Sequence, residues 1–145
     1  MNNVIKTITL LMSGIIYSVS LNASAALERS PSMADARVYI ISPVNGEVVP
    51  SSFKVQFGLT GMGVAPAAID RAGTGHHHLI VNGNIDAIPK DQPIGNQAIH
   101  FGGGQTETTL TLPKGEHTLQ LLLADQFHVP HNPVIHSEVV RITVK

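Results

Sequence analysis

Apolar and polar side chains alternate repeatedly along this chain from residue 37 onward, and the alternation marks strands. Phe53, Val55, Phe57 and Leu59 alternate with polar or small residues, the period of two expected of an extended strand with one buried face. The same period runs through Thr108, Leu110 and Leu112, through His117, Leu119, Leu121 and Leu123, and through Val140, Ile142 and Val144. Residues 37–42 form a β-branched and aromatic run that Pro43 stops. Pro113-Lys114-Gly115-Glu116 presets one turn corner with proline and allows positive φ at glycine, which predicts a hairpin joining 108–112 to 117–123. The only helical signal is a short turn around residues 67–71. About seven short strands separated by turn residues predict an all-β chain, a single antiparallel Ig-like β-sandwich.

The first 25 residues have a different character. Lys6 supplies a positive start, residues 8–21 an apolar stretch, and Ala23-Ser24-Ala25 a small-residue cleavage site, the layout of a secretory signal peptide. The apolar stretch is interrupted by Ser13, Gly14, Ser18 and Ser20 and falls short of the ~20 apolar residues of a spanning helix. The expected organisation is therefore a cleavable signal over 1–25, a flexible polar segment over 26–36 and one sandwich domain over 37–145. The expected location is periplasmic or secreted, with no membrane anchor after cleavage.

Composition narrows the chemistry. The 145 residues include no cysteine, so no disulfide, thiolate nucleophile or lipid-carrying cysteine is available. Loss of the signal removes Lys6 alone and leaves eight basic against ten acidic residues, a balance that gives no case for nucleic acid or anionic membrane. Charged residues make up 13% while histidines number 8, so the ionisable chemistry is weighted towards imidazole. No Gly-x-Ser-x-Gly elbow or spaced carboxylate pair occurs, and Gly102-Gly103-Gly104-Gln105-Thr106 lacks the Gly-Lys-Ser/Thr ending of a phosphate loop. These absences argue for a binder rather than an enzyme.

The histidines themselves are grouped. Gly73-Thr74-Gly75 leads into His76-His77-His78 at the start of an apolar run; in a strand His76 and His78 share one face about 6.6 Å apart, and His77 points the other way. His100 precedes the triple glycine inside a long loop over 84–104, and His128 and His131 flank Val129-Pro130 in a second loop. A His-x-His pair joined by loop histidines matches what Cu²⁺ or Zn²⁺ requires, neutral imidazole nitrogens with an open position left for water. The candidate metal ligands are thus His76, His78, His100, His128 and His131, with Asp70 and Asp125 as candidates to orient the rings. His117 and His136 fall in apparent strands and are expected to pack. Met62 in Gly61-Met62-Gly63 could donate a thioether to copper, but a single methionine reads better as a gap-filler.

Four segments resemble a family of exported bacterial domains known as domain of unknown function 4399. They are Gly-Met-Gly-Val-Ala-Pro at 61–66, Thr-Gly-His-His-His-Leu at 74–79, His-Phe-Gly-Gly-Gly-Gln-Thr at 100–106 and His-Thr-Leu-Gln-Leu-Leu-Leu-Ala-Asp at 117–125. The resemblance brings no activity with it. Ser-Pro-Val-Asn-Gly-Glu-Val-Val-Pro at 42–50 with Phe-Lys-Val-Gln-Phe at 53–57 is also similar to the first strands of bacterial Ig-like and copper-resistance sandwich domains. Ala26 stands where those copper proteins carry an N-terminal ligand histidine, so this second likeness implies fold alone. Three functional readings follow, in order of weight: a binder of copper or zinc, a metal-free envelope module that contacts a protein partner, and a metal-dependent catalyst using an open coordination site.

Overall fold

The alternating runs become the strands of two facing sheets in the computed structural model, which describes residues 28–145. In chain order the strands are β1 (Arg37–Ser42), β2 (Glu47–Val49), β3 (Ser52–Thr60), β4 (Gly63–Val64), β5 (Thr74–Val81), β6 (Ile99–His100), β7 (Glu107–Thr111), β8 (Gly115–Ala124) and β9 (Val140–Val144). One sheet has the order β1-β3-β7; the other runs β2-β9-β8-β5-β4, with β6 added alongside β5. Pairing is antiparallel except where β2 joins β9 and β4 joins β5.

The inward face of each sheet is the apolar half of its alternation. Val38, Phe53, Val55, Phe57 and Leu110 of the smaller sheet meet Leu79, Leu119, Leu121, Leu123, Ile142 and Val144 of the larger one in a single core. Each fully buried side chain of this size contributes about 1.5–3 kcal/mol relative to exposure. The larger sheet is covered on its outer face as well, where Ile80, Leu122 and Ala124 pack with Ile88 and Ile94 from the loop after β5. Two-sided burial explains why Leu121-Leu122-Leu123 is a continuous apolar run. It also means that the central strands β5 and β8 can carry a buried site on the face away from the main core.

Two expected elements take a different form. Residues 108–112 and 117–123 do not form a hairpin, because β7 pairs with β3 in one sheet while β8 pairs with β5 and β9 in the other. The Pro113 turn carries the chain across the sandwich, so that Leu110 and Leu121 reach one core from opposite sides. No helix forms over 67–71: the chain instead lays β4 beside β5, and Ala68 adopts φ 64°. The helical turn among the described residues is a 3-10 turn at Ile85–Ala87, started by the Asn84 side chain, which accepts from the Asp86 N–H.

The polar segment before β1, expected to be flexible, is tied down from Arg29 onward. The Ser32 N–H donates to the Asn132 carbonyl at 3.0 Å, and the Asn132 N–H to the Ser30 carbonyl at 2.9 Å. The Arg29 guanidinium donates to the carbonyls of Pro130 and His131. The secretory signal expected over 1–25 lies outside the described residues. Among those described, no helix is long and apolar enough to cross a membrane.

Candidate metal centre

Alternation along β5 sets His76 and His78 on the outer face of the larger sheet, directly opposite Ala124 and Leu122 of β8. On the other side of β5, His78 pairs with His100 of β6. His128 arrives from the loop after β8. Its backbone takes φ 65°, a left-handed conformation that non-glycine residues adopt only when the surroundings hold it.

What holds it is Asp125, a buried carboxylate that organises the whole turn. Its Oδ1 accepts from the N–H groups of Phe127 at 2.9 Å and Val129 at 3.0 Å, and its Oδ2 from the Ser30 hydroxyl at 2.8 Å. The His128 N–H donates to the Asp125 carbonyl at 2.9 Å, and the His128 carbonyl accepts from the Ile94 N–H at 2.8 Å. These bonds anchor His128 to the N-terminal segment on one side and to the long loop on the other. Its Nδ1 then lies 3.1 Å from Nε2 of His76.

The outcome is a cluster of four imidazoles. One ring nitrogen from each of His76, His78, His100 and His128 can be chosen so that all four lie within 4.8 Å of one another. His76 and His78 are fully buried, His128 is half-buried and His100 is exposed. Both ring nitrogens of His78, and Nδ1 of His76, are buried without a hydrogen-bond partner. Glycine shapes the exposed side, for a Cβ on Gly102 would collide with the His100 ring.

The electrostatics favour the neutral form of His76, His78 and His100. Burial is the largest cause of the drop in the His76 pKa to about 4, followed by its neighbours His128 and His100; the Asp125 carboxylate opposes the drop. Burial also leads for His78, which falls to about 3, with His76, His100 and His128 adding to it. His100 is lowered by desolvation and by His128. A neutral imidazole has a free lone pair, so near neutral pH these three rings offer nitrogen donors rather than cations.

His131, the fifth candidate, is not brought to the others. Its Nε2 bonds the Thr74 carbonyl at 3.2 Å, and its ring fills the space left by the absent side chain of Gly75. Gly75 faces the opposite side of β5 from His76, so His131 sits across the strand from the cluster. Asp70 and Asp125 do not orient the rings: Asp70 accepts from the Gln126 amide at 3.4 Å, and Asp125 spends its oxygens on the loop backbone and Ser30. His77 points inward, as alternation requires, and packs against Phe57 with ring centroids 5.2 Å apart. His117 is buried between the Asn82 amide and the Pro113 carbonyl, each at 2.8 Å. His136, by contrast, is exposed and lies at an isolated bridge to Leu122 rather than in a packed strand. Met62 is a partly buried packing residue against the main core.

Comparison with known proteins gives a family and little else. The family model described as a domain of unknown function, DUF4399, matches residues 55–145, a span that contains all four clustered histidines. No curated protein matches this chain. Among solved structures, the endo-beta-1,4-mannanase from Thermotoga petrophila aligns with 77% of this chain and 20% of its own, at 16% identity and a TM-score of 0.46. The chain thus spans about a fifth of that enzyme's length.

Proposed function

We propose that this chain, which belongs to the DUF4399 family of domains of unknown function, binds one divalent transition metal ion, copper or zinc, through His76, His78, His100 and His128. The observation that carries this reading is the convergence of four imidazoles from three separate segments onto one small volume. Burying polar nitrogens without partners costs free energy, and a bound cation offsets that cost by taking one lone pair from each ring. An all-imidazole donor set with neither thiolate nor carboxylate suits zinc and copper rather than calcium or magnesium. An unknown-function domain on an all-β fold fits a binder rather than an enzyme. Lys6, the apolar stretch over 8–21 and Ala23-Ser24-Ala25 support binding outside the cytoplasm, after export.

A competition titration against a chromophoric chelator at neutral pH tests the proposal. The parent protein takes up one zinc or copper ion per chain with a Kd below about 1 μM, roughly −8 kcal/mol. His100→Ala, at an exposed ligand position, weakens this at least tenfold, and His136→Ala leaves it unchanged. No site tighter than micromolar, or equal affinity in the His100→Ala protein, would remove the metal reading in favour of a module that contacts a protein partner.

A further inference from the structure

Three of the four clustered imidazoles are placed by strand pairing; the fourth is not. His76 and His78 lie on β5 opposite Ala124 and Leu122, and His100 on β6 lies opposite His78. His128 comes from a loop and must be fixed another way. We infer that residues 29–32 form a strap whose docking sets the position of His128, with Ser30 as the positioning residue, so that strap docking and metal binding strengthen each other. This rests on the metal reading above and goes beyond the four ligands themselves.

The backbone of His128, at φ 65°, holds a conformation that persists only where the surroundings over-determine it. Asp125 does so locally, because the two amides its Oδ1 accepts from, Phe127 at 2.9 Å and Val129 at 3.0 Å, are those on either side of His128. The carboxylate is in turn held from outside the loop. Asp125 is 1% exposed, and its Oδ2 accepts from the Ser30 hydroxyl at 2.8 Å. A hydrogen bond to a buried carboxylate is stronger than a neutral one and costs more to lose. Without Ser30 the carboxylate turns toward another donor or toward water, and its grip on both amides loosens.

The rest of the strap meets the same loop. Three successive carbonyls beyond His128 accept from it: those of Pro130 and His131 from the Arg29 guanidinium, and that of Asn132 from the Ser32 N–H at 3.0 Å. The Asn132 N–H donates back to the Ser30 carbonyl at 2.9 Å, which sets Pro31 beside Asn132 in a parallel bridge. Residues 29–32 are Arg, Ser, Pro and Ser and supply no imidazole, carboxylate or thiolate, so the strap acts on the ion through His128. A ligand that is in place for only a fraction of the time lowers the apparent affinity by that fraction. Linkage makes the effect mutual, since whatever the docked strap adds to metal affinity the metal adds to strap docking. Anything that draws residues 29–32 off the loop, by cleavage or by binding them elsewhere, thereby loosens the ion.

Chelator competition for zinc in single and double variants tests this. Ser30→Ala should weaken binding about tenfold, the low end of the loss seen when a group that orients a metal ligand is removed, and Ser30→Thr, which keeps the hydroxyl, should retain most of the affinity. In a His128→Ala background Ser30→Ala should make no further difference, whereas in His100→Ala it should keep its full effect; a strap that only stabilised the fold would act alike in both. Hydrogen exchange gives the reciprocal readout: zinc should slow exchange of the Ser32 and Asn132 amides in the parent and leave them unchanged in His128→Ala. Equal zinc affinity in the parent and Ser30→Ala, an equal loss in the His128→Ala background, or exchange at those two amides that zinc does not alter in the parent would overturn the strap and leave the metal reading standing. Failure of the parent to bind zinc or copper would overturn both.

Discussion

Metal-free His78→Leu protein is expected to be at least as stable at neutral pH as the parent, and to gain nothing from added zinc. His78 is fully buried, and neither of its ring nitrogens has a partner. Each buried unsatisfied polar group costs about 1–3 kcal/mol. Leucine, close to histidine in volume, would face Leu122 across the strands and extend the apolar cluster that includes Ile80. Stability alone does not separate a ligand from a packing imidazole, since His77 is equally buried and unpartnered while packed on Phe57; loss of the zinc response does. The parent, in zinc at a hundred times its Kd, gains about 2.7 kcal/mol by mass action. Urea denaturation with and without zinc measures both quantities. A leucine variant stabilised by zinc as much as the parent would contradict the assignment of His78 as a ligand; one destabilised by more than about 1 kcal/mol would contradict the stability expected of the metal-free variant.

Acid is expected to unfold the metal-free parent well before it affects an ordinary domain. The pKa values of His76 and His78 fall to about 4 and about 3 in the folded protein, against about 6.5 in the unfolded chain. Between those limits the unfolded state binds protons that the folded state refuses, so stability is full above pH 6.5 and declines as the pH drops. At pH 4 each ring accounts for about 3 kcal/mol of lost stability, a large share of the 5–15 kcal/mol typical of a domain. Protonation also removes the lone pairs that bind metal, so the ion leaves over the same range. Denaturation midpoints at pH 7, 5.5 and 4.5 should fall steeply for the parent and less steeply for His78→Leu, which lacks one of the two groups. A midpoint independent of pH across that span would show that these imidazoles are not buried in neutral form.

Much of this could be read from the chain because strand periodicity is local. Phe53 to Leu59, His117 to Leu123 and Val140 to Val144 announce their own buried faces, and the same rule separates His76 and His78 from His77. Pairing partners are not local, which is why the Pro113 turn read as a hairpin although it carries the chain between sheets. Two-residue and three-residue strands such as Gly63–Val64 and Glu47–Val49 are too short to show a period at all. At the site, loop histidines announce a candidate but not a direction. His128 and His131 flank the same proline, yet the left-handed backbone at His128 turns one ring to the outer face of β5, while the missing side chain of Gly75 receives the other on the opposite face. The roles of Asp125 and Gly102 were visible only as residue types. Three bonds to the Asp125 carboxylate and the contact of Gly102 with His100 are tertiary facts.

The central claim is that His76, His78, His100 and His128 share one ion, and an anomalous difference map from crystals of the zinc-loaded protein, collected at the zinc absorption edge, tests it most directly. The expected result is a single strong peak enclosed by the four rings, with no comparable peak at His117, His131 or His136. A map with no peak among the four rings, or with its strongest peak at one of those other histidines, would contradict it.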